Sequence, residues 1–396
     1  MFKIKIIDHY PQKTLANFDS QQFETGEDFD NPDVILVRST KLHDHPFSDK
    51  LKAVGRAGTG IDNIPVEKLT QQGIPVFYAP GANANAVKEL VVAAMIMAYR
   101  NIRPALSFID TLKQELPSDL SSNIEQNKKR FAGQELSGKT LGIIGAGNIG
   151  VKVANIAHHL GMHVITYDPM MTLSSALALI PDVNQAESIE AVLSQSDIIS
   201  LHVPLVPETK HLINQHTLSL LKPDAVLANF SREGIVDEKA LLNALDQKQL
   251  KSYMTDFATA ELVKRESVIC FPHLGASTQQ AQENASSMVI TNVKNFLEFG
   301  TVSFSANFPE TRLVKPDSFK GYRLVIANEN KPGVIAEMTQ AISRSNLNIE
   351  RMVNSSNEAI AFNLVDITGD EGELQQVIKE IEQSNHVLNV RLINYQ

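Results

Sequence analysis

Residues 140–168 constrain the fold of this chain more than any other stretch. The run TLGII is followed by GAGNIG, then by an apolar helical segment, then by HVITY closed with Asp168. Thr140 to Ile144 is short, apolar and β-branched, as a buried parallel strand should be. Gly145, Gly147 and Gly150 follow in the GxGxxG pattern. The first glycine permits a tight turn, the second lets backbone approach a pyrophosphate, and the third lets the helix pack closely on the strand. The helix N-terminus carries unpaired N–H groups and a positive dipole end, which suit that anion without a lysine. No Walker lysine follows Gly150. Asp168 stands about 20 residues beyond the glycines, where a carboxylate accepts hydrogen bonds from the adenosine ribose. The same charge repels a 2′-phosphate, and Pro169 and Met170 offer no cation. The pattern points to a dinucleotide site that takes NAD rather than NADP.

A chain of 396 residues is too long for one compact core and predicts two or three domains. A formal charge of −9 supplies no basic field, which argues against nucleic acid or an acidic membrane surface as partner. The single cysteine, Cys270, cannot form an internal disulfide and lies in the apolar run SVICFP, as a buried strand residue does. The N-terminal MFKIKIIDHYP alternates like a strand and lacks the apolar core of a signal peptide. The longest apolar run, from Leu90 to Tyr99, is too short for a bilayer and reads as a buried helix. The expectation is a soluble cytoplasmic protein that needs no metal.

Strands and helices already alternate before the glycine motif, through KIKIID, DVILVRS, LKAVGRAGTG and IPVFYAP. A helix over Ala86 to Ile102 then carries the chain onward, and from Lys139 to His273 the alternation resumes as a doubly wound parallel sheet. A second long helix over 279–300 returns the chain to the first unit, and Ser303 to Ser318 reads as a linker. The last segment runs βαββαβ, a small ferredoxin-like module. The expected domains are 1–100 with 283–315 for substrate, 101–282 for the nucleotide, and 319–396 for the module.

Arg232, Glu261 and His273 each follow a strand end in the half of the sheet where nicotinamide belongs. Oxidation of a secondary alcohol needs a base, and histidine titrates in the useful range. Glu261 can favour its imidazolium and fix its tautomer, and Arg232 can fork onto a substrate carboxylate. Taken singly, each has a plain alternative: surface ion pair, solvated loop charge, structural histidine.

GAGNIG, NFSREGIVDE around Arg232 and PHLGAST from Pro272 to Thr278 together resemble the D-isomer-specific 2-hydroxyacid dehydrogenases. RAGTGIDNI from Arg56, PGANANAVKEL from Pro80 and the C-terminal module are similar to the branch acting on 3-phospho-D-glycerate. The resemblance covers essentially the whole chain. It implies a Rossmann-like domain inserted in a smaller flavodoxin-like α/β domain, with a C-terminal ferredoxin-like ACT module. It implies Arg232, Glu261 and His273 as the catalytic set. Cofactor contacts carry over to Gly145, Gly147, Asn148, Ile149, Gly150, Asp168, Phe230, Ser231, Asp256, Leu274, Gly275 and Ala276. Arg56, Gly58, Thr59 and Gly60 match a substrate loop, with Arg56 assigned the phosphate. Asn330 and Asn348 match effector asparagines of relatives regulated by L-serine, and Asn328 stands where those relatives have histidine. Leu262 replaces a proline common after the glutamate, and Glu233 a glycine common after the arginine.

The resemblance implies oxidation of 3-phospho-D-glycerate to 3-phosphohydroxypyruvate at the entry to serine biosynthesis, by a homodimer or homotetramer. Rival readings within the family are reductases of glyoxylate, hydroxypyruvate or 2-oxoglutarate. A rival of another class is an NAD-sensing corepressor, which suits disordered tails rather than an ACT-like module.

Overall fold

A computed structural model describes residues 1–113, 117–345 and 347–395; positions 114–116, 346 and 396 of the expected domains lie outside the described residues. The chain divides into two compact units, Met1–Asn83 with Gln282–Gln396, and Ala84–Ala281.

The first unit opens with five parallel strands, β1 (Phe2–Ile6), β2 (Phe23–Gly26), β3 (Val34–Val37), β4 (Ala53–Arg56) and β5 (Val76–Phe77), in the order β2-β1-β3-β4-β5. That is the flavodoxin-like order. The sequence VILV of β3 is buried at all four positions, as a parallel strand covered on both faces must be.

The second unit holds seven parallel strands: β6 (Thr140–Ile144), β7 (His163–Tyr167), β8 (Asn184–Gln185), β9 (Ile198–Leu201), β10 (Val226–Asn229), β11 (Ser252–Thr255) and β12 (Val268–Cys270). Their order, β12-β11-β10-β9-β6-β7-β8, is the doubly wound Rossmann order with one strand added. Its switch point falls between β6 and β9, so the C-terminal ends of these strands are where a ligand belongs.

The sequence places the first domain boundary at residue 100, whereas the compact unit begins at Ala84. The helix Ala84–Arg100 buries Val87, Val91, Ala94 and Met95, one stripe at helical spacing. That stripe packs with Leu141, Ile143, Val153 and Met254, so its apolar partners all belong to the second unit. Tyr99 adds a hydrogen bond from its hydroxyl to Asp197 O at 3.3 Å.

The C-terminal module has antiparallel strands β13 (Tyr322–Glu329), β14 (Asn348–Ser356), β15 (Ile360–Thr368) and β16 (Val387–Asn394), in the order β14-β15-β13-β16. Strand alternation divides β13 between two cores. Leu324 and Ile326 face the helices Val334–Ser343 and Glu371–Glu382, while Val325 and Ala327 join Phe296, Leu297 and Phe308 of the first unit. Part of the expected linker is therefore fixed structure. Phe308 is in that core, and Asn307 accepts from Val76 N at 2.9 Å and donates to Ile74 O at 2.9 Å.

The helix Gln279–Phe299 ends against this module. Its last carbonyls accept from Arg391 (Phe296 O, 2.5 Å; Leu297 O, 2.9 Å), from Tyr395 Oη (Glu298 O, 3.0 Å) and from Arg323 (Phe299 O, 2.8 Å). Carbonyls left open by the helix end are thus satisfied by a phenol and by two cations that also suit its negative dipole end. Arg323 is fully buried and is paired with Asp366 through two hydrogen bonds, of 2.5 and 2.9 Å.

Candidate active site

The glycine turn is built as its sequence requires. Gly145 has φ +94°, and a Cβ there would meet His202 O at 2.6 Å. A Cβ on Gly150 would lie 2.0 Å from Gly145 O, which is why the helix Gly150–His159 can start so close to β6. Gly147 differs, since nothing lies within 4 Å of its Cβ position. The space it leaves suits a ligand rather than protein packing. Asn148 and Ile149 complete the turn, and Val153 N donates to Ile149 O at 3.0 Å. Asp168, just past β7, accepts from Ala146 N at 2.8 Å and Met170 N at 2.9 Å. Each carboxylate oxygen keeps a second lone-pair direction for a ribose hydroxyl. Asp168 therefore braces the turn while remaining available to a ligand.

Three strand ends of the same sheet supply the reactive groups. β10 ends in Asn229, which is fully buried; its side chain accepts from Ser231 N at 3.1 Å and donates to Arg232 O at 2.8 Å. Ser231 Oγ donates to Leu201 O at 2.5 Å, and Phe230 packs against Phe271. The backbone carrying Arg232 is thereby held at both sides, while its guanidinium stays exposed. After β12, His273 adopts φ +56°, in the left-handed region a residue with a Cβ seldom enters. Asp256, 3 % exposed, holds the segment that follows: its two oxygens accept from Leu274 N and Gly275 N, each at 2.7 Å. The imidazole stands edge-on to Phe257 with centroids 5.4 Å apart. Arg232 and His273 line one cavity of about 600 Å3, together with Glu233, Tyr253, Phe257 and Leu262.

Residues 92–275 match the family model described as D-isomer specific 2-hydroxyacid dehydrogenase, NAD binding domain. A D-3-phosphoglycerate dehydrogenase of Haemophilus influenzae is 34 % identical over 345 residues, covering 84 % of this chain and 80 % of that protein. The chain belongs to the D-isomer specific 2-hydroxyacid dehydrogenases. A D-3-phosphoglycerate dehydrogenase of Methanocaldococcus jannaschii is 36 % identical over 81 % of the chain, which spans 60 % of that relative's length. The crystal structure of an NAD+-bound 3-phosphoglycerate dehydrogenase from Entamoeba histolytica superposes with a TM-score of 0.59 at 28 % identity, covering 77 % of this chain and 98 % of that one. Residues 324–389 match an AHAS small subunit-like ACT domain.

In this dehydrogenase the second unit is the NAD-binding domain, and its glycine turn and Asp168 fit that cofactor. The structure departs from expectation at Glu261. Its carboxylate accepts from Lys264 Nζ at 2.8 Å and not from His273, and this ammonium holds its carboxyl below the usual value. The cause is local. Glu261 and Lys264 sit three residues apart in the turn after β11, and the Glu261 side chain is 55 % exposed. A solvated pair of this kind is weakly held. Asp256 likewise spends one lone pair of each oxygen on the backbone after His273, a task its sequence position did not reveal.

The expected substrate loop follows β4. Gly58 N donates to Arg56 O at 2.8 Å, and a Cβ on Gly58 would fall 1.7 Å from an Arg56 Nη, so only glycine lets that guanidinium fold back. Thr59 Oγ1 lies 3.2 Å from Asn83 Oδ1, and Ala79 N donates to Gly58 O at 2.9 Å; Gly60 completes the loop. Asp8, which no motif marks, accepts from Arg38 N, Ser39 N, Thr40 N and Thr40 Oγ1. Burial raises its pKa, and these donors outweigh burial and hold it below the ordinary value. An acidic residue closing a strand, as in KIKIID, was the available signal.

In the ACT domain Asn330 donates to Asn357 O at 2.7 Å and Asn348 to Glu350 at 2.8 Å. Asn348 pairs with Thr368 and Glu329 with Ile360, the two ends of β15. At about 3.4 Å per residue, these two asparagines lie about 27 Å apart along the sheet. Among the described residues no group of three or more His, Cys, Asp or Glu could hold a metal, and no helix is long and apolar enough to cross a membrane.

Proposed function

We propose that the chain is an NAD-dependent D-3-phosphoglycerate dehydrogenase, oxidising the C2 hydroxyl of 3-phospho-D-glycerate to the ketone of 3-phosphohydroxypyruvate. The observation carrying the reading is the convergence of Arg232 and His273 on one cavity, with the backbone on each side pinned by a buried side chain. NAD, when bound, supplies the acceptor for the C2 hydride. His273 takes the hydroxyl proton at its imidazole, and Arg232 pairs with the carboxylate and orients the C2 oxygen. Glu261 stabilises the charged imidazole after its side chain leaves Lys264. Arg56 takes the phosphate.

The separation of Asn330 and Asn348 supports an assembly in which they meet across two copies. β14 is an edge of its sheet, and two such edges paired antiparallel bring the far end of one module toward the near end of the other. The reading is thus a cytoplasmic homodimer or homotetramer with an L-serine site at the module interface.

The test is a panel of initial rates with 3-phosphoglycerate, hydroxypyruvate, glyoxylate and 2-oxoglutarate, each with NAD(H) and NADP(H). The phosphorylated substrate with NAD should be preferred, and Arg56→Ala should impair it far more than the unphosphorylated ones. Equal use of glyoxylate before and after that substitution, with no phosphoglycerate turnover, refutes the assignment.

A further inference from the structure

A second cavity, of about 280 Å3, lies wholly within the first unit, where the sheet of the ACT domain meets the first α/β sheet. Its apolar lining includes Phe296 and Phe362, both buried in the shared core, and its polar lining includes Asp49, Lys50, Lys52 and Arg391. Lys52 is engaged by Asp33. Asp49 and Lys50 are exposed and have no ion-pair partner among the described residues.

Arg391 is unusual. Its two terminal nitrogens each give one hydrogen bond, to the carbonyls of Leu297 and Phe296, and each keeps a second N–H; its guanidinium lies 4.5 Å from the Phe296 ring centroid, and its Nε is buried with no hydrogen-bond partner. Burial pushes this guanidinium below its ordinary pKa. Arg323 in the same domain has Asp366 as counter-charge, whereas Arg391 forms no direct ion pair among the described residues and feels the Asp33 carboxylate, itself paired with Lys52, only at longer range. A buried donor left without an acceptor is costly, and a desolvated cation gains most from an anion brought to it.

One guanidinium and one ammonium on a side, one carboxylate, and an aromatic floor complement a zwitterion with an apolar side chain. We propose that this cavity binds a small aliphatic α-amino acid, its carboxylate toward Arg391 and Lys50, its ammonium toward Asp49, and its side chain on Phe296 and Phe362. The site is separate from Asn330 and Asn348. It also has a short route to the substrate loop: Lys52 immediately precedes β4, and Arg56 is the last residue of that strand. A ligand at the seam therefore touches one end of a four-residue strand whose other end carries the assigned phosphate ligand.

The test uses the full chain and does not depend on turnover. Isothermal titration and thermal shift are recorded with L-leucine, L-serine and inorganic phosphate. L-Leucine should bind and raise Tm, and Lys50→Glu, at an exposed position, should weaken its affinity about tenfold, the loss expected from one charged contact. Asp49→Asn should also weaken it, and Asn348→Ala should leave it unchanged. Absence of L-leucine binding, binding indifferent to Lys50→Glu, loss of binding on Asn348→Ala, or binding of phosphate alone each overturns the proposal. None of these results bears on the dehydrogenase assignment, which the rate panel decides separately.

Discussion

Replacing Asp256 by asparagine tests whether the shape of the His273 segment rests on one buried carboxylate. The side chain is 3 % exposed and its two oxygens each accept a backbone N–H at 2.7 Å, from Leu274 and from Gly275. Hydrogen bonds to a charged group contribute about 1.5–3 kcal/mol each. Asparagine keeps the volume and one acceptor, so one N–H stays satisfied while the other faces an NH2 donor. The loss is therefore at least one charge-assisted bond, about 1.5–3 kcal/mol, since the bond that remains no longer meets a charge, and it falls on the segment that holds His273 at φ +56°, a conformation with its own cost. If catalysis needs that conformation, kcat should fall about 10- to 150-fold, at about tenfold per 1.36 kcal/mol. NADH affinity, measured by fluorescence titration, should change only a few-fold, because Asp168 and the glycine turn hold the other end of the dinucleotide. Asp256→Ala should cost more, since both N–H groups then lack an acceptor. A kcat for Asp256→Asn within twofold of the parent, at unchanged stability, refutes the reasoning. A selective loss of NADH affinity instead assigns the carboxylate to the nicotinamide.

Further outcomes follow from single contacts. Gly150→Ala puts a Cβ 2.0 Å from Gly145 O, so the turn must open and NADH affinity should fall at least about tenfold in the same titration, the equivalent of 1.4 kcal/mol; unchanged affinity would show that the close approach is dispensable. Arg323→Met leaves the fully buried Asp366 with Arg351 as its one cation among the described residues, and breaking a buried pair costs about 3–5 kcal/mol. Urea denaturation should report that loss, and a difference under 1 kcal/mol would count against the burial argument. His202 is half-buried, its Nδ1 is shielded from water and unpartnered, and this desolvation lowers its pKa to about 4. The unfolded chain binds that proton more readily, so the stability it contributes is complete above about 6.5 and lost as pH falls toward 4. Melting temperatures of His202→Gln across that window should depend less steeply on pH than those of the parent; parallel curves would remove His202 as the cause.

Much of the cofactor half was legible because its determinants are local. GxGxxG followed by Asp168 specifies a turn, a helix start and a carboxylate within one βαβ unit, and the observed positions of Gly145, Gly150 and Asp168 follow that logic. Strand periodicity likewise gave the βαββαβ order of the last module. Asn229 and Asp8 are not legible as such because an Asx side chain near a strand end reads as ordinary turn composition; Asn229 closes the buried strand β10, and Asp8 stands two residues past β1.

By itself the sequence determined the parallel nucleotide sheet, the glycine turn and the order of elements in the C-terminal module, since each is written in spacings of a few residues. Only the tertiary structure decided that the helix Ala84–Arg100 belongs to the second unit, that Asp256 spends its charge on the His273 segment, that Glu261 turns to Lys264, and that Arg323 and Arg391 fasten the last module to a helix end. Apart from the Glu261 turn, these contacts join residues 18 to 95 positions apart or assign a helix to one of two cores. Periodicity within a segment shows which face is apolar, but which partner that face or charge meets is fixed by packing across the chain.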